Sequence, residues 1–269
     1  MKLRVFRWNE GAAERFDDFD VAAGPETTVL DALVEAQRTR DATLAFRYAC
    51  RVGMCGSCAM VVNGRERWAC RTRLAALGAG LTAARSNVVV TVRPLYHFPL
   101  IPDLVVDMTP FRARMGDVTG ALVPFARGGP TTEDPHTAFG RGGPTTQDPH
   151  TPSTNAPDYA IVSRDSDERR EIDAAIECIG CGMCVSACRM VAHNERFPGP
   201  AALNRAFTLQ RDHRDGAKDA RWDVLLSDDA LARCHGQGNC TDVCPMEIAP
   251  TTSILRLRRM GTRRLLGLP

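Results

Sequence analysis

Apolar positions in the first hundred residues come in short runs with two different periods. Met1-Lys2-Leu3-Arg4-Val5-Phe6-Arg7-Trp8 alternates in polarity, as a half-buried strand requires, and a second strand is expected over about 15–22, ending near Gly24-Pro25. Thr28 with Asp31 three residues later opens a helix, and Val29, Leu30, Leu33 and Val34 fall on one of its faces. A loop rich in Cys and Gly follows. Ala59-Met60-Val61-Val62, closed by the turn signal Asn63-Gly64, and the β-branched run Val88–Val92 add further strands. Strand, strand, helix, loop and more strands predict a small α+β sheet with one helix laid across it.

Pro94–Pro102 reads as a connector, and Leu104-Val105-Val106-Asp107-Met108 begins a second unit, which gives domains 1–106 and 107–269. From there the periodicity is helical: Glu171–Ile176, a helix opened by Pro200 and carrying Ala201, Ala202, Leu203, Ala206 and Phe207, the stretch Trp222–Leu231, and a last helix over 251–260. Between them lies a tandem duplication of 14 residues, Phe125–Ala138 repeated as Phe139–Pro152 with three differences. Two copies are too few for a solenoid and their Gly, Pro and polar residues cannot bury a core, so an extended or disordered loop is expected at about 125–157. His136 and His150 recur at equivalent places, but such a loop does not hold ligands rigid, and neither receives a metal role.

Charge narrows the partners. Thirty-four basic and 32 acidic residues give +2 without a block of like charge, so no nucleic-acid partner is expected. The tail arginines 256, 258, 259, 263 and 264 read as a solvated end, with contact to an anionic membrane surface as the alternative. The start lacks an apolar signal core and no apolar run reaches membrane-spanning length, so a soluble or peripheral chain is expected. Eleven cysteines, an odd number, lie in three tight groups: 50–70, 178–188 and 234–244. That favours metal ligation over disulfides.

Cys50-x4-Cys55-x2-Cys58 followed, after eleven intervening residues, by Cys70 is the plant-type 2Fe-2S spacing, and it fits the paired knuckles of a four-thiolate zinc site poorly. Gly53 and Gly56 suit the loop, because without a Cβ the backbone can approach a cluster and aim N–H groups at its sulfurs. Cys178-x2-Cys181-x2-Cys184-x3-Cys188 is the spacing of a chain that wraps iron-sulfur cubes, whose last Cys normally serves a different cluster from the first three. With Cys234, Cys240 and Cys244-Pro245 this second system has seven thiols where two cubes of four irons need eight. If Cys178, Cys181 and Cys184 share a cube with Cys244, then Cys188, Cys234 and Cys240 remain. Three thiolates suit a cluster lacking one iron, and Gln237 stands where the eighth thiol is expected. No paired-carboxylate, Ser/His/Asp, phosphate-cradling or dinucleotide motif stands out. Three kinds of cluster therefore predict an electron wire between partner subunits; a non-enzymatic iron-sulfur or zinc protein is the competing class.

These residues resemble one family over nearly the whole chain: the iron-sulfur subunit of succinate dehydrogenase and quinol:fumarate reductase, the respiratory complex II family. The resemblance is carried by Leu30-Asp31-Ala32-Leu33, Phe46-Arg47, the run Cys50–Met60, Asn63-Gly64, Arg93-Pro94-Leu95, Asp103–Met108, Cys178–Cys188, Gly199-Pro200-Ala201 and Cys244-Pro245. It implies a plant-type ferredoxin (β-grasp) N-terminal domain and an all-helical, bacterial-ferredoxin-like C-terminal domain. It also implies Cys50, Cys55, Cys58 and Cys70 on 2Fe-2S, Cys178, Cys181, Cys184 and Cys244 on 4Fe-4S, and Cys188, Cys234 and Cys240 on 3Fe-4S. Electrons would pass between the FAD of a flavoprotein subunit, these clusters and a quinone, menaquinone or ubiquinone, at a membrane anchor subunit. The chain itself would sit peripherally on the cytoplasmic face of the membrane. His235 and Arg233 match positions near the quinone. Arg189, where the family usually has Pro, and Ala192-His193, where ubiquinone-linked members carry tryptophans, shift the expected acceptor towards menaquinone or a non-membrane acceptor. A related soluble flavoprotein dehydrogenase, acting on another dicarboxylate or a hydroxy acid, is the runner-up.

Overall fold

The structure, a computed structural model, describes residues 1–78, 88–120, 122–123 and 165–268. The duplicated segment with His136 and His150, and the loop expected at 125–157, lie outside the described residues.

The sheet is built around the first strand. β1 (Lys2–Arg7) pairs antiparallel with β2 (Arg15–Asp20) in the register Leu3↔Phe19 and Val5↔Asp17. The alternation read from the sequence puts Leu3 and Val5 in the core. α1 (Val29–Thr39) starts at a capping box in which the Thr28 hydroxyl accepts from the Asp31 N–H and the Asp31 carboxylate accepts from the Thr28 N–H. It lays Val29, Leu30, Ala32, Leu33 and Ala36 on the sheet. β3 (Ala59–Val62) forms a hairpin with β4 (Arg65–Trp68) through the Asn63-Gly64 turn, and a single 3-10 turn at Ala69–Arg71 carries Cys70. After α2 (Leu74–Gly78), β5 (Val89–Arg93) runs parallel to β1, opposite Leu3 and Val5, and antiparallel to β3. The order is β2-β1-β5-β3-β4.

The second unit is helical: α3 (Thr109–Thr119), α4 (Asp167–Ile176), α5 (Met183–Ser186), α6 (Arg189–His193), α7 (Pro200–Arg211), α8 (Lys218–Leu225), α9 (Asn239–Asp242) and α10 (Pro250–Leu265). α7, opened by Pro200 at its first turn, is its axis, buried along almost its whole length and packed against α3, α4 and α10. Within the stretch Trp222–Leu231 the chain is helical only as far as Leu225, and the last helix runs five residues past the expected end at 260. Trp222 is buried beneath α10, where Gly261 leaves the space for it: a Cβ there would lie 2.9 Å from Leu226 and 3.3 Å from the indole.

The connector is not a bare linker. Leu95, Phe98 and Val106 belong to the helical core and Leu104 to the sheet's core, while Trp68 and Leu100 touch both. Full burial of side chains such as Leu95, Phe98, Leu104 and Val106 contributes about 1.5–3 kcal/mol each. Asp103 pins the connector to the sheet by accepting from Arg7 Nε (3.0 Å), the Trp8 N–H (3.0 Å) and the Ala45 N–H (2.9 Å).

Candidate metal centres

The first group of thiols sits on the loop between α1 and β3 and on the turn after β4. The loop curls around Cys50, whose sulfur accepts from the Met54 and Cys55 N–H groups, both at 3.3 Å. Backbone donors from Val52, Met54 and Cys55 bring the Cys50 thiol down to about 6, so it is largely thiolate near neutrality. Arg51 holds this curl with a left-handed backbone (φ 60°) and its guanidinium over the Tyr48 ring, 4.9 Å from the centroid. Gly53 presses on the turn that carries Cys70, for a Cβ there would meet Arg71 Cγ at 2.8 Å and Trp68 Cζ3 at 3.1 Å. Cys58 lies deepest, and burial pushes its thiol up to about 12.

The seven remaining thiols line two hollows. Cys178, Cys181, Cys184 and Cys244 surround one, with Gly180, Gly182, Asn204 and Pro245. Cys188, Cys234 and Cys240 surround the other, with His235, Gln237 and Thr251. Short helices position them. α5 carries Cys184, Cys188 follows its end, α9 carries Cys240, and the Asn239 amide donates to the Ala187 carbonyl at 3.3 Å to hold the two helices together. Asn204 of α7 donates to the Ala175 carbonyl (2.9 Å) and accepts from the Ser253 hydroxyl (2.8 Å), fixing the wall of the four-thiol hollow.

Electrostatics show what such hollows need. Burial raises the thiols of Cys178, Cys188 and Cys240, takes Cys181 to about 11 and Cys184 well above the usual range, with neighbouring sulfurs adding to the penalty for Cys181 and Cys184. Among the described residues no three His, Cys, Asp or Glu side chains converge tightly enough to grip one ion. Crowded sulfurs in apolar surroundings become thiolates when a cationic core takes up their charge, so the donor set fits iron-sulfur groups that fill a hollow between ligands.

The three places adjoin in series. Gly56, in the first loop, lies so close to Cys181 that a Cβ would come within 2.6 Å of its Cβ and 3.2 Å of its Cα. At the far side of the four-thiol hollow, Cys184 is close enough to Cys240 for their charges to interact. β4 makes two further ties between the units. Arg65 donates to the Asp242 carbonyl at 2.8 Å, and buried Glu66 accepts from the Ser186 hydroxyl at 2.7 Å, which in turn accepts from the Tyr96 N–H at 2.9 Å. Sequence reasoning missed both, because a charged four-residue strand after a turn shows no chemistry; the Asn63-Gly64 hairpin signal was the available clue.

His235 stands exposed at the rim of the three-thiol hollow. Arg233 is not among the lining residues; its Nε donates to the Asp228 carbonyl at 2.9 Å and its Nη2 lies 4.0 Å from Asp229. Arg189 and Ala192-His193 fall in α6, directly behind Cys188.

Known proteins resemble the chain throughout. Residues 2–113 match the family described as the 2Fe-2S iron-sulfur cluster binding domain, and residues 174–248 the 4Fe-4S dicluster domain. The succinate dehydrogenase iron-sulfur subunit of Paracoccus denitrificans is 32% identical over 270 residues, covering 98% of this chain and 89% of that one. The fumarate reductase iron-sulfur subunit of Mycobacterium tuberculosis is 33% identical over 259 residues, with 96% and 90% covered. A chain of the Mycobacterium smegmatis Sdh1 complex in the apo form superposes with a TM-score of 0.75 at 26% identity, over 98% of this chain and 95% of that one.

Proposed function

The chain belongs to the family of iron-sulfur subunits of succinate dehydrogenases and fumarate reductases, and from that membership we propose how its thiols divide the work of electron relay. Cys50, Cys55, Cys58 and Cys70 hold 2Fe-2S; Cys178, Cys181, Cys184 and Cys244 hold 4Fe-4S; Cys188, Cys234 and Cys240 hold 3Fe-4S. Such groups supply one-electron carriage at potentials set by cluster type, charge and hydrogen bonds to sulfur. The residues of this chain hold the three places in series, keep water from the buried sulfurs and set the spacing through Gly56 and Cys181 at one junction and Cys184 and Cys240 at the other. The partners are an FAD flavoprotein at the first loop and, beyond His235, a quinone at a membrane anchor subunit. The chain sits peripherally on the cytoplasmic face; no helix among the described residues is long and apolar enough to cross a membrane. We divide it at 106/107, into a β-grasp domain of the plant-ferredoxin kind, supported by the helix across a sheet with a parallel central pair, and a bacterial-ferredoxin-like helical domain.

The observation that carries this reading is the split of seven thiols, four around one hollow and three around the other with Gln237. Low-temperature EPR of the air-oxidised protein tests it: a 3Fe signal is expected, and its absence with iron matching two complete cubes sinks the assignment. A second reading keeps the relay and replaces the membrane quinone by a soluble acceptor, favoured by Arg189, Ala192 and His193 behind Cys188. Copurification separates them: a flavoprotein with a small helical anchor supports the first, a flavoprotein alone the second.

A further inference from the structure

We propose that the outward face of α10 docks this chain directly on an anionic lipid surface. The inference rests on the reading that electrons leave through the three-thiol end. α10 begins at that end, for Thr251 and Ile254 of its first turns line the hollow, and further along Arg258 donates to the Cys234 carbonyl at 2.9 Å. Its inward stripe, Pro250, Ser253, Ile254, Leu257 and Gly261, is buried. The opposite stripe carries Leu255, Arg259, Thr262, Arg263 and Leu266, all exposed.

The chemistry of that stripe matches lipid headgroups over an acyl boundary. α10 holds five arginines and no acidic residue. Arg256 is paired with Glu171 and Arg264 with Asp219, whereas the guanidinium groups of Arg259 and Arg263 have no hydrogen-bond or ion-pair partner among the described residues. Leu255 and Leu266, on that stripe, are 41% and 66% exposed, and Leu265 and Leu268 at the C-terminal end of the helix are 72% and 55% exposed. A helix with leucines flanked by cations lies in a membrane interface, its arginines on anionic headgroups and its leucines at the acyl boundary. A purely acidic protein segment would satisfy the arginines and leave the leucines in water.

The test uses the full, cluster-loaded chain sedimented with phosphatidylcholine vesicles, with and without phosphatidylglycerol. Binding to the anionic vesicles alone is expected, weakened by salt as the charges are screened. Arg259→Ser with Arg263→Ser should lower the affinity roughly thirty-fold, at about fivefold per arginine, and Leu266→Ser should lower it further at an unchanged visible cluster spectrum. Equal binding to neutral and anionic vesicles, no binding, or indifference to these substitutions overturns the proposal. EPR on the same sample keeps the two readings apart: an intact 3Fe signal without vesicle binding removes the docking face alone, and a missing signal removes the relay assignment it rests on.

Discussion

Replacing Gly56 by alanine puts a methyl group where the first cluster loop meets the second thiol run. Two costs are separable. The backbone there has φ +71°, and a left-handed conformation costs an alanine about 1–2 kcal/mol. The new Cβ would also lie 2.6 Å from Cys181 Cβ and 3.2 Å from both Cys181 Cα and Ile179 Cδ1. Part of that obstacle is backbone, so the loops must part by several tenths of an ångström, and such overpacking costs about 1–3 kcal/mol. Gly11 is the control, with φ +79° and nothing within 4 Å of its added Cβ. Gly11→Ala bears the first cost alone. At roughly 2–4 °C per kcal/mol for a chain of this size, Gly56→Ala should bleach on the order of 5 °C below Gly11→Ala when both holo proteins are heated side by side. Freeze-quench EPR after rapid reduction of the first cluster should show slower arrival at the second, because the transfer distance has grown. If the two variants bleach together and transfer equally fast, Gly56 does not set the junction, and the series of sites is held by other contacts.

Thr251→Val removes the hydroxyl 3.2 Å from Cys240 Sγ, while Thr251→Ser keeps it. A donor to sulfur favours the more negative, reduced form, so the valine variant should lower the midpoint potential of the three-thiol cluster by ~40 mV, the equivalent of about 1 kcal/mol for one hydrogen bond; an EPR redox titration in which valine and serine behave alike refutes this. Glu66→Leu leaves the Ser186 hydroxyl without its buried acceptor and should destabilise the docked units by about 1–3 kcal/mol, whereas Arg65→Ala, at an exposed tie, should cost less than 1 kcal/mol; denaturant melts of the two variants check the order. In the chain stripped of iron, Cys50 should be alkylated with a half-maximal rate near pH 6, since a lowered thiol is thiolate above that pH, and Cys58, held near 12, should stay unlabelled through pH 9. Mass spectrometry showing Cys58 labelled as fast as Cys50 would contradict the burial described for it.

The thiol groups were legible because their spacing is local in sequence, and the structure sets four of the last seven around one hollow and three around another. The capping box at Thr28 and the apolar face of α1 were legible for the same reason: local geometry fixes which residues stand three and four apart. β4 was not. Arg65-Glu66-Arg67-Trp68 has no apolar alternation, because as an edge strand it gives Arg65 and Glu66 to the second unit, a use that only the packed structure reveals. The packing of the connector was not legible for a related reason. Leu95 and Phe98 lie among prolines that suggest a linker, yet they complete the helical core.

The parallel pairing of β1 with β5 has a consequence for how the chain acquires its metal. Leu3 cannot meet Val90 until a third of the chain has been synthesised, and non-local pairing of this kind is slow. Cys50, Cys55, Cys58 and Cys70 all lie between the two strands that must find each other. A nascent chain therefore exposes its first set of thiols before the frame that orients them exists. Iron delivered at that stage meets a flexible peptide, and iron delivered after β5 has closed the sheet meets a shaped loop, so this site favours loading that follows folding of the first unit.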